Sequence, residues 1–389
     1  MNTLTYYTNN KLYKLKLSET DKIKLLELDK EFGELVELFR NDRNMKDPLN
    51  LEEERKKFLL YRRNGEKYYP VLKFEKCKFC EDGILDRMNK LLTKFNSFDC
   101  PLSKYYIDNL NNYIFRVKYT IQKITDNPKI IYKGDNGYDY KVPDNIYELA
   151  LNIIKEHPYE SVENIGRNID AKAASKEIQK YIDSKGYKWR VKLADNMLPR
   201  MSVNTDKTIR INKKAKFNED DLEGLKAHEV DGHIGRRYYG YKTGLYLFVY
   251  GLYGRNIFDE GLAVWNSLNK VKKPKKNILF NIAIKTVIVY NINRMDFIEL
   301  FDFVKSLAPN FPDEQIFNVI TRIKREIVDM SLLGGWPDDA SYLIGYEMIK
   351  KMNDQERDDI LKYNIGPRQL EDLNRIKEFI KVNRFKSLI

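Results

Sequence analysis

Histidine, cysteine and tryptophan are scarce, with three of each among 389 residues. So few cysteines, Cys77, Cys80 and Cys100, exclude a disulfide-stapled scaffold and agree with a reducing compartment. Cys77-Lys-Phe-Cys80 is a lone CxxC. With Cys100 and His157 it could make a Cys₃His zinc site, but nothing in the spacing brings four ligands together, and unliganded thiols are the simpler expectation. No apolar run approaches a membrane span, and the first ten residues lack the basic and apolar regions of a signal peptide. These absences predict a cytoplasmic protein with no membrane partner.

Positive charge is plentiful: 69 Lys and Arg against 57 Asp and Glu give a formal +12. Such a balance favours polyanionic partners, among them an acidic protein tail. The acidic residues are interleaved with the basic ones, and Lys, Asn, Ile and Tyr abound throughout, so compositional bias competes with that reading. No specific nucleic acid is expected.

The pattern is mainly helical, and the predicted class is α+β. Helical spacing or capping signals mark 19–39, 51–63 (with Asn50 as N-cap), 85–95, 104–124, 146–157 and 171–183. Ile23, Leu26, Leu28, Phe32, Leu35, Val36 and Leu38 make the stripe of the first. Asp135-Asn-Gly137 signals a turn. After Gly186 the rhythm becomes alternating at 187–193, 200–204 and 208–212, which predicts a small sheet and a tight turn at Thr205-Asp206-Lys207. A further helix starts near Glu219-Asp220, and others follow at 277–292, 297–307, 314–328, 341–352, 354–361 and 368–382.

Two of the three histidines lie together in Leu225-Lys-Ala-His228-Glu229-Val-Asp-Gly-His233-Ile-Gly-Arg236. Imidazoles are preferred nitrogen ligands of Zn²⁺, and a carboxylate beside the first is placed as a general base for a metal-activated water. In HExxH the histidines stand i,i+4 on one helical face. Here they stand i,i+5, about 140° apart on a regular helix, which could not chelate. A local π-type turn would bring them to one side, and Gly232 sits where that distortion costs least. A third ligand must come from elsewhere. Phe258-Asp259-Glu260-Gly-Leu-Ala263 is the expected source, with Glu260 preferred and Asp259 its rival.

At these residues the chain resembles the HExxxH tyrosine carboxypeptidases related to the microtubule-associated enzyme that removes the C-terminal tyrosine of α-tubulin. The family pattern runs His-Glu-Ile-Gly-Thr-His, an Arg, a Gly-Leu pair and (Q)EGLA. This chain has His228, Glu229, His233, Arg236, Gly251-Leu252 and Glu260-Gly-Leu-Ala263 in that order. Trp189-Arg-Val with Leu198-Pro-Arg200-Met-Ser-Val203 is similar to the stretch before the family's metal helix. Arg322-Ile-Lys-Arg325, Asp329-Met-Ser331, Gly334-Gly-Trp336 and Asp339-Ala-Ser-Tyr342-Leu resemble its late segment, and Tyr69-Pro70-Val-Leu-Lys-Phe74 an early one. The chain departs from the pattern at Val-Asp-Gly between the histidines, at Asp259 for Gln, and at Pro337-Asp338 where the family carries a Lys.

The resemblance implies a zincin-like metallocarboxypeptidase region over 65–389, with a helical subdomain at 65–185 and a catalytic core at 186–389, behind a helical N-terminal extension at 1–64. It implies Zn²⁺ on His228, His233 and Glu260, Glu229 as catalytic base, and a peptide C-terminus as substrate, plausibly the tail of α-tubulin. Arg200, Arg236, Arg322 and Arg325 are candidates to hold the terminal carboxylate, for which a guanidinium is well shaped. Tyr342 is a candidate for oxyanion or side-chain contact. Each of these has a structural alternative, an ion pair or core packing. The aromatic run from Tyr238 to Tyr253 could shape a pocket for an aromatic terminal residue, or simply fill the core. The rival functions are a metallopeptidase for another acidic or aromatic substrate, and a basic polyanion-binding module with a non-catalytic metal site.

Overall fold

The computed structural model describes residues 15–41, 48–74, 83–124, 141–159, 166, 168–195, 197, 199–204, 206–271, 275–325 and 327–389. In order come helices α1 (Glu19–Asn41), α2 (Leu51–Arg63), α3 (Ile84–Asn96), α4 (Ser103–Ile124) and α5 (Asp144–Glu156), strand β1 (Ile169–Asp170), and α6 (Ala171–Ser184). Strands β2 (Arg190–Ala194), β3 (Met201–Val203), β4 (Thr208–Asn212) and β5 (Lys216–Phe217) follow. Then come α7 (Glu219–Leu225), a π-helix (Lys226–Ile234), α8 (Gly235–Thr243), α9 (Tyr246–Tyr250), α10 (Asn256–Lys270) and α11 (Lys275–Asn291). The chain finishes with α12 (Phe297–Leu307), α13 (Asp313–Ile323), α14 (Ser341–Ile349), α15 (Asp354–Tyr363) and α16 (Leu373–Asn383). The chain is therefore mostly helical with small sheets, an α+β protein.

The helices bury their stripes in two cores. In α1, Leu25, Leu28, Phe32, Leu35 and Val36 repeat at helical spacing and are buried. Ile23 and Leu26, expected in the same stripe, face outward, because Leu25 takes the inner position. This first core also gathers side chains of α3, α4, α6, β4, the π-helix, α9 and α16. The second joins α2, α5, α11, α12 and α13. Helix α10 lies at the seam: Phe258 and Leu262 enter the first core, Val264 and Leu268 the second. Helix α11 is buried nearly all round, with Phe280, Ile284, Val287 and Ile288 fully enclosed, and Lys285 interrupts this apolar sequence.

The three-stranded sheet runs β2-β4-β3, with β2 parallel and β3 antiparallel to β4. The chain leaves β2, forms the edge strand β3, and enters central β4 through Lys207, held at φ 54°. The ribbon β1–β5 was not legible in the alternation, since each strand has two residues. A cap and some boundaries differ from expectation: α16, expected from 368, starts at Leu373 after a separate turn at Pro367–Gln369. Helix α13 ends at Ile323, not near 328, because Lys324 turns its ammonium onto the Leu332 and Gly334 carbonyls and the chain pairs back, with Leu72 N–H donating to the Val328 carbonyl. Asn50 precedes α2 but does not cap it. Its side chain bridges Val71 O and Lys73 N instead, so the backbone of 71–73 competes successfully for it.

Cys77, Cys80 and the Asp135-Asn-Gly137 turn fall outside the described residues. Cys100 is a buried free thiol, its pKa pushed up by burial to about 11. Among the described residues no helix is long and apolar enough to cross a membrane.

Candidate active site

Asn218 opens the helical run that carries the histidines. Its side chain accepts from Asp221 N–H while Asp221 accepts in return from Asn218 N–H, a reciprocal cap. Eight residues on, the α-helix widens into the π-helix Lys226–Ile234, the turn that an i,i+5 histidine pair requires. Ion pairs brace it from outside: Lys226 holds Glu177 at 2.5 Å and Glu223 at 2.6 Å, while Asp231 meets Lys185 at 3.0 Å and the Tyr181 hydroxyl at 2.8 Å. Gly232 faces α10 so closely that a Cβ there would stand 3.2 Å from that of Ala263. The glycine between the histidines and the alanine of EGLA thus share one contact.

That contact sets α10 against the histidines. His228 Nε2 is 3.7 Å and His233 Nε2 3.6 Å from Glu260 Oε2, and the three ligand atoms lie within 4.8 Å of one another. The separations are too long for hydrogen bonds, and Glu260 Oε2 is buried with no hydrogen-bond partner. Zinc bonds of about 2.0–2.2 Å in tetrahedral array place ligand atoms about 3.3–3.6 Å apart. The donor set and spacing therefore fit such an ion. Among the described residues no other cluster of three such groups meets the same spacing.

Asp259, the rival ligand, faces the other way. It bonds His233 Nδ1 at 3.0 Å and pairs as an ion with Arg236 Nη1 at 3.2 Å and with Arg255 Nη1. Burial pushes its pKa up, but Arg236, His233 and Arg255 outweigh burial and hold it well below the usual carboxylate range. It can thus fix the His233 ring with Nε2 turned inward. Against the cost of burial, Asp259 and Glu260 raise His233 to about 9, and surroundings that favour a proton there favour a metal cation as well. His228 is pushed well below its normal value by burial and by the charges of His233 and Lys285.

Glu229 lies in the wall of the same cleft and is nearly inaccessible. Burial, reinforced by Glu260, moves its carboxyl up to about 7, while His233 and Arg322 hold it back. The cleft has a volume near 890 Å³ and is bordered by edge strand β3 on one side and by α11 and α13 on the other.

The candidate arginines are sorted by their surroundings. Arg236 is fully buried, bonded to Asn364 Oδ1 at 2.8 Å and paired with Asp259, so it supports the site from beneath. Arg200 forms a double ion pair with Asp221 at the rim by β3. Arg325 shares Asp338 Oδ2 with Arg116, each at 3.0 Å. Arg322 stands beside the centre: it acts on Glu229 and Glu260, donates through Nε to Asp339 Oδ1 at 2.9 Å, and through Nη2 to the Tyr342 hydroxyl at 3.3 Å. Tyr342 stacks on His228 with centroids 6.3 Å apart. Of the Tyr238–Tyr253 run, Tyr241, Phe248 and Tyr250 fill the first core, and Val249 reaches the cleft.

Sequence reasoning overlooked Lys285, Asp339 and Arg255 as members of this neighbourhood. Arg255 was signalled by its i,i+4 spacing to Asp259, and Lys285 by being a charge inside an apolar helix. Asp339 gave no signal apart from its motif.

A model of the family described as microtubule-associated tyrosine carboxypeptidase matches residues 63–386. A search of curated proteins found no match to the chain.

Proposed function

This chain belongs to the microtubule-associated tyrosine carboxypeptidase family, and from that membership we propose a zinc-dependent carboxypeptidase that removes a terminal tyrosine from an acidic protein tail, with α-tubulin as the substrate. The observation that carries the zinc chemistry is the meeting of His228, His233 and the unpartnered Glu260 Oε2 beside a buried Glu229. The zincin-like build expected from the sequence belongs to the same proposal. So does a cytoplasmic location, which action on microtubules requires.

Held by His228, His233 and Glu260, zinc would supply a Lewis acid that acidifies water and polarises a carbonyl. Glu229 takes the proton of the attacking water as the new C–O bond forms and passes it to the leaving amine as the C–N bond breaks. A carboxyl shifted to about 7 is suited to both transfers. Asp259 keeps the His233 ring in one orientation throughout. Arg322, the candidate arginine whose charge acts on both Glu229 and Glu260, receives the substrate's terminal carboxylate.

The test is mass spectrometry of tubulin and of tail peptides after incubation with the purified protein. Loss of one C-terminal tyrosine, absent with Glu229→Gln and with C-terminally amidated peptide, is the expected result. Equal cleavage of acid and amide, or cleavage within the tail, would overturn the carboxypeptidase reading.

A further inference from the structure

Helix α11 carries a lysine where its apolar surroundings give it no reason to be. Lys285 is flanked by the fully buried Ile284 and Val287, 18% of its side chain is accessible, and it lines the cleft. An ammonium in such a place needs acceptors for three donors. The anion nearest to it, Asp339 Oδ1, is 3.6 Å away, a long and weak contact, and already accepts from Arg322 Nε at 2.9 Å. Its other close contact is the face of the Tyr342 ring, 4.3 Å from Nζ. One buried carboxylate is thus shared by two cations, both facing the cleft.

We infer that Lys285 is the second arm of the subsite for the substrate's terminal carboxylate, closing on the anion opposite Arg322. This rests on the carboxypeptidase reading above and extends it to a residue outside every motif. Scale supports the placement. The scissile carbonyl and the terminal carboxylate are separated by a single residue, about 3.8 Å of chain. The anion must therefore sit in the first layer beyond the metal ligands. Tyr342 defines that layer: its ring is 6.3 Å from His228, Arg322 bonds its hydroxyl, and Lys285 covers its face. Charge agrees as well. Arg322 acts on Asp339, Glu229 and Glu260, and Lys285 on Asp339 and Glu260, so with a divalent cation bound and Glu229 ionised these five side chains and the cation are one negative charge short of neutral. A carboxylate supplies that charge, and an amide does not. Burial and Arg322 push the Lys285 pKa down to about 8, a strain that an incoming anion would relieve.

The experiment measures binding without turnover. In a Glu229→Gln background, fluorescence anisotropy gives Kd for a labelled tail peptide ending in tyrosine, as the free acid and as the amide. Lys285→Met should weaken the acid by about tenfold or more, the size of one charge-assisted contact, and leave the amide unchanged. Lys285→Arg should restore part of the difference, and zinc content should stay constant in all variants. Lys285→Gln makes the same test if the Met protein is insoluble. If Lys285→Met keeps the preference for acid over amide, or weakens both equally, the assignment falls while the carboxypeptidase reading stands. If the protein with Lys285 intact shows no preference for the acid, both fall.

Discussion

The close crossing of α10 and α14 makes a prediction about the proposed metal ligand Glu260, far from Gly345 in sequence. Helices α10 and α14 meet glycine to glycine. A Cβ on Gly345 would stand 1.8 Å from the Ile257 carbonyl oxygen, and one on Gly261 would stand 2.3 Å from the Gly345 carbonyl carbon. Real Cβ atoms do not approach backbone closer than 3.0 Å. Gly345→Ala therefore requires at least 1.2 Å of separation, the difference between 3.0 and 1.8. If α10 takes half of it, Glu260 moves by about 0.6 Å, where metal–ligand distances tolerate about 0.2 Å. Overpacking of this kind costs about 1–3 kcal/mol of stability, and misplacing a ligand's support costs about 10- to 100-fold in metal affinity. Competition against a fluorescent chelator should show that weakening for zinc, alongside a lowered denaturation midpoint. Gly235→Ala is the control. It lies two residues from His233, but a Cβ there meets ordinary contacts at 3.5 Å or more, so zinc affinity should hold and the helix should gain up to about 1 kcal/mol. Wild-type zinc affinity in Gly345→Ala would refute the claim that this crossing positions Glu260.

Glu229→Gln should retain zinc while turnover drops by about 100-fold or more, read by metal analysis and single-turnover kinetics. Asp259→Asn should lower zinc affinity by about 10- to 100-fold through loss of His233 orientation, and unchanged affinity would remove Asp259 from its supporting role. Asp29 provides a pH test independent of the active site. Burial raises its pKa to about 6 against three donors, the Tyr106 hydroxyl and the Tyr246 and Leu247 amides. Because the folded value lies above the unfolded one, its stabilising contribution is complete below about pH 4 and disappears as pH rises through 6. Thermal melts should therefore show a decline between about pH 4 and 6 that Asp29→Asn flattens.

The local geometry of the candidate site was legible in the sequence, and its long-range geometry was not. His228, Glu229 and His233 declared themselves by scarcity and spacing. Their i,i+5 interval demanded the π-turn that Lys226–Ile234 adopts. Glu260 lies on α10 close to both histidines because Gly232 meets Ala263 and Gly261 meets Gly345, contacts between small residues that no periodicity reports. The four arginines were indistinguishable in sequence, since an arginine clamping a substrate and one paired with Asp221 look alike until the partner is seen. Lys285 was hidden for a related reason. It sits in a helix whose apolar pattern says core, and only the position of α13 and α14 turns that part of the core into a cleft wall. The end of α13 was missed because the Leu332 and Gly334 carbonyls that capture Lys324 come later in the chain.

His233 is held by Asp259, Asp259 by Arg236, and Arg236 by Asn364, which adopts a left-handed conformation and donates to the Phe248 carbonyl. A premature stop codon ahead of Asn364 would leave HEVDGH and EGLA intact on paper, yet release the arginine that steadies the aspartate behind the second histidine. Shortened transcripts and partial genes that keep both motifs should therefore not be counted as active copies. The EGLA motif ends about a hundred residues before Asn364, the last side chain in that relay.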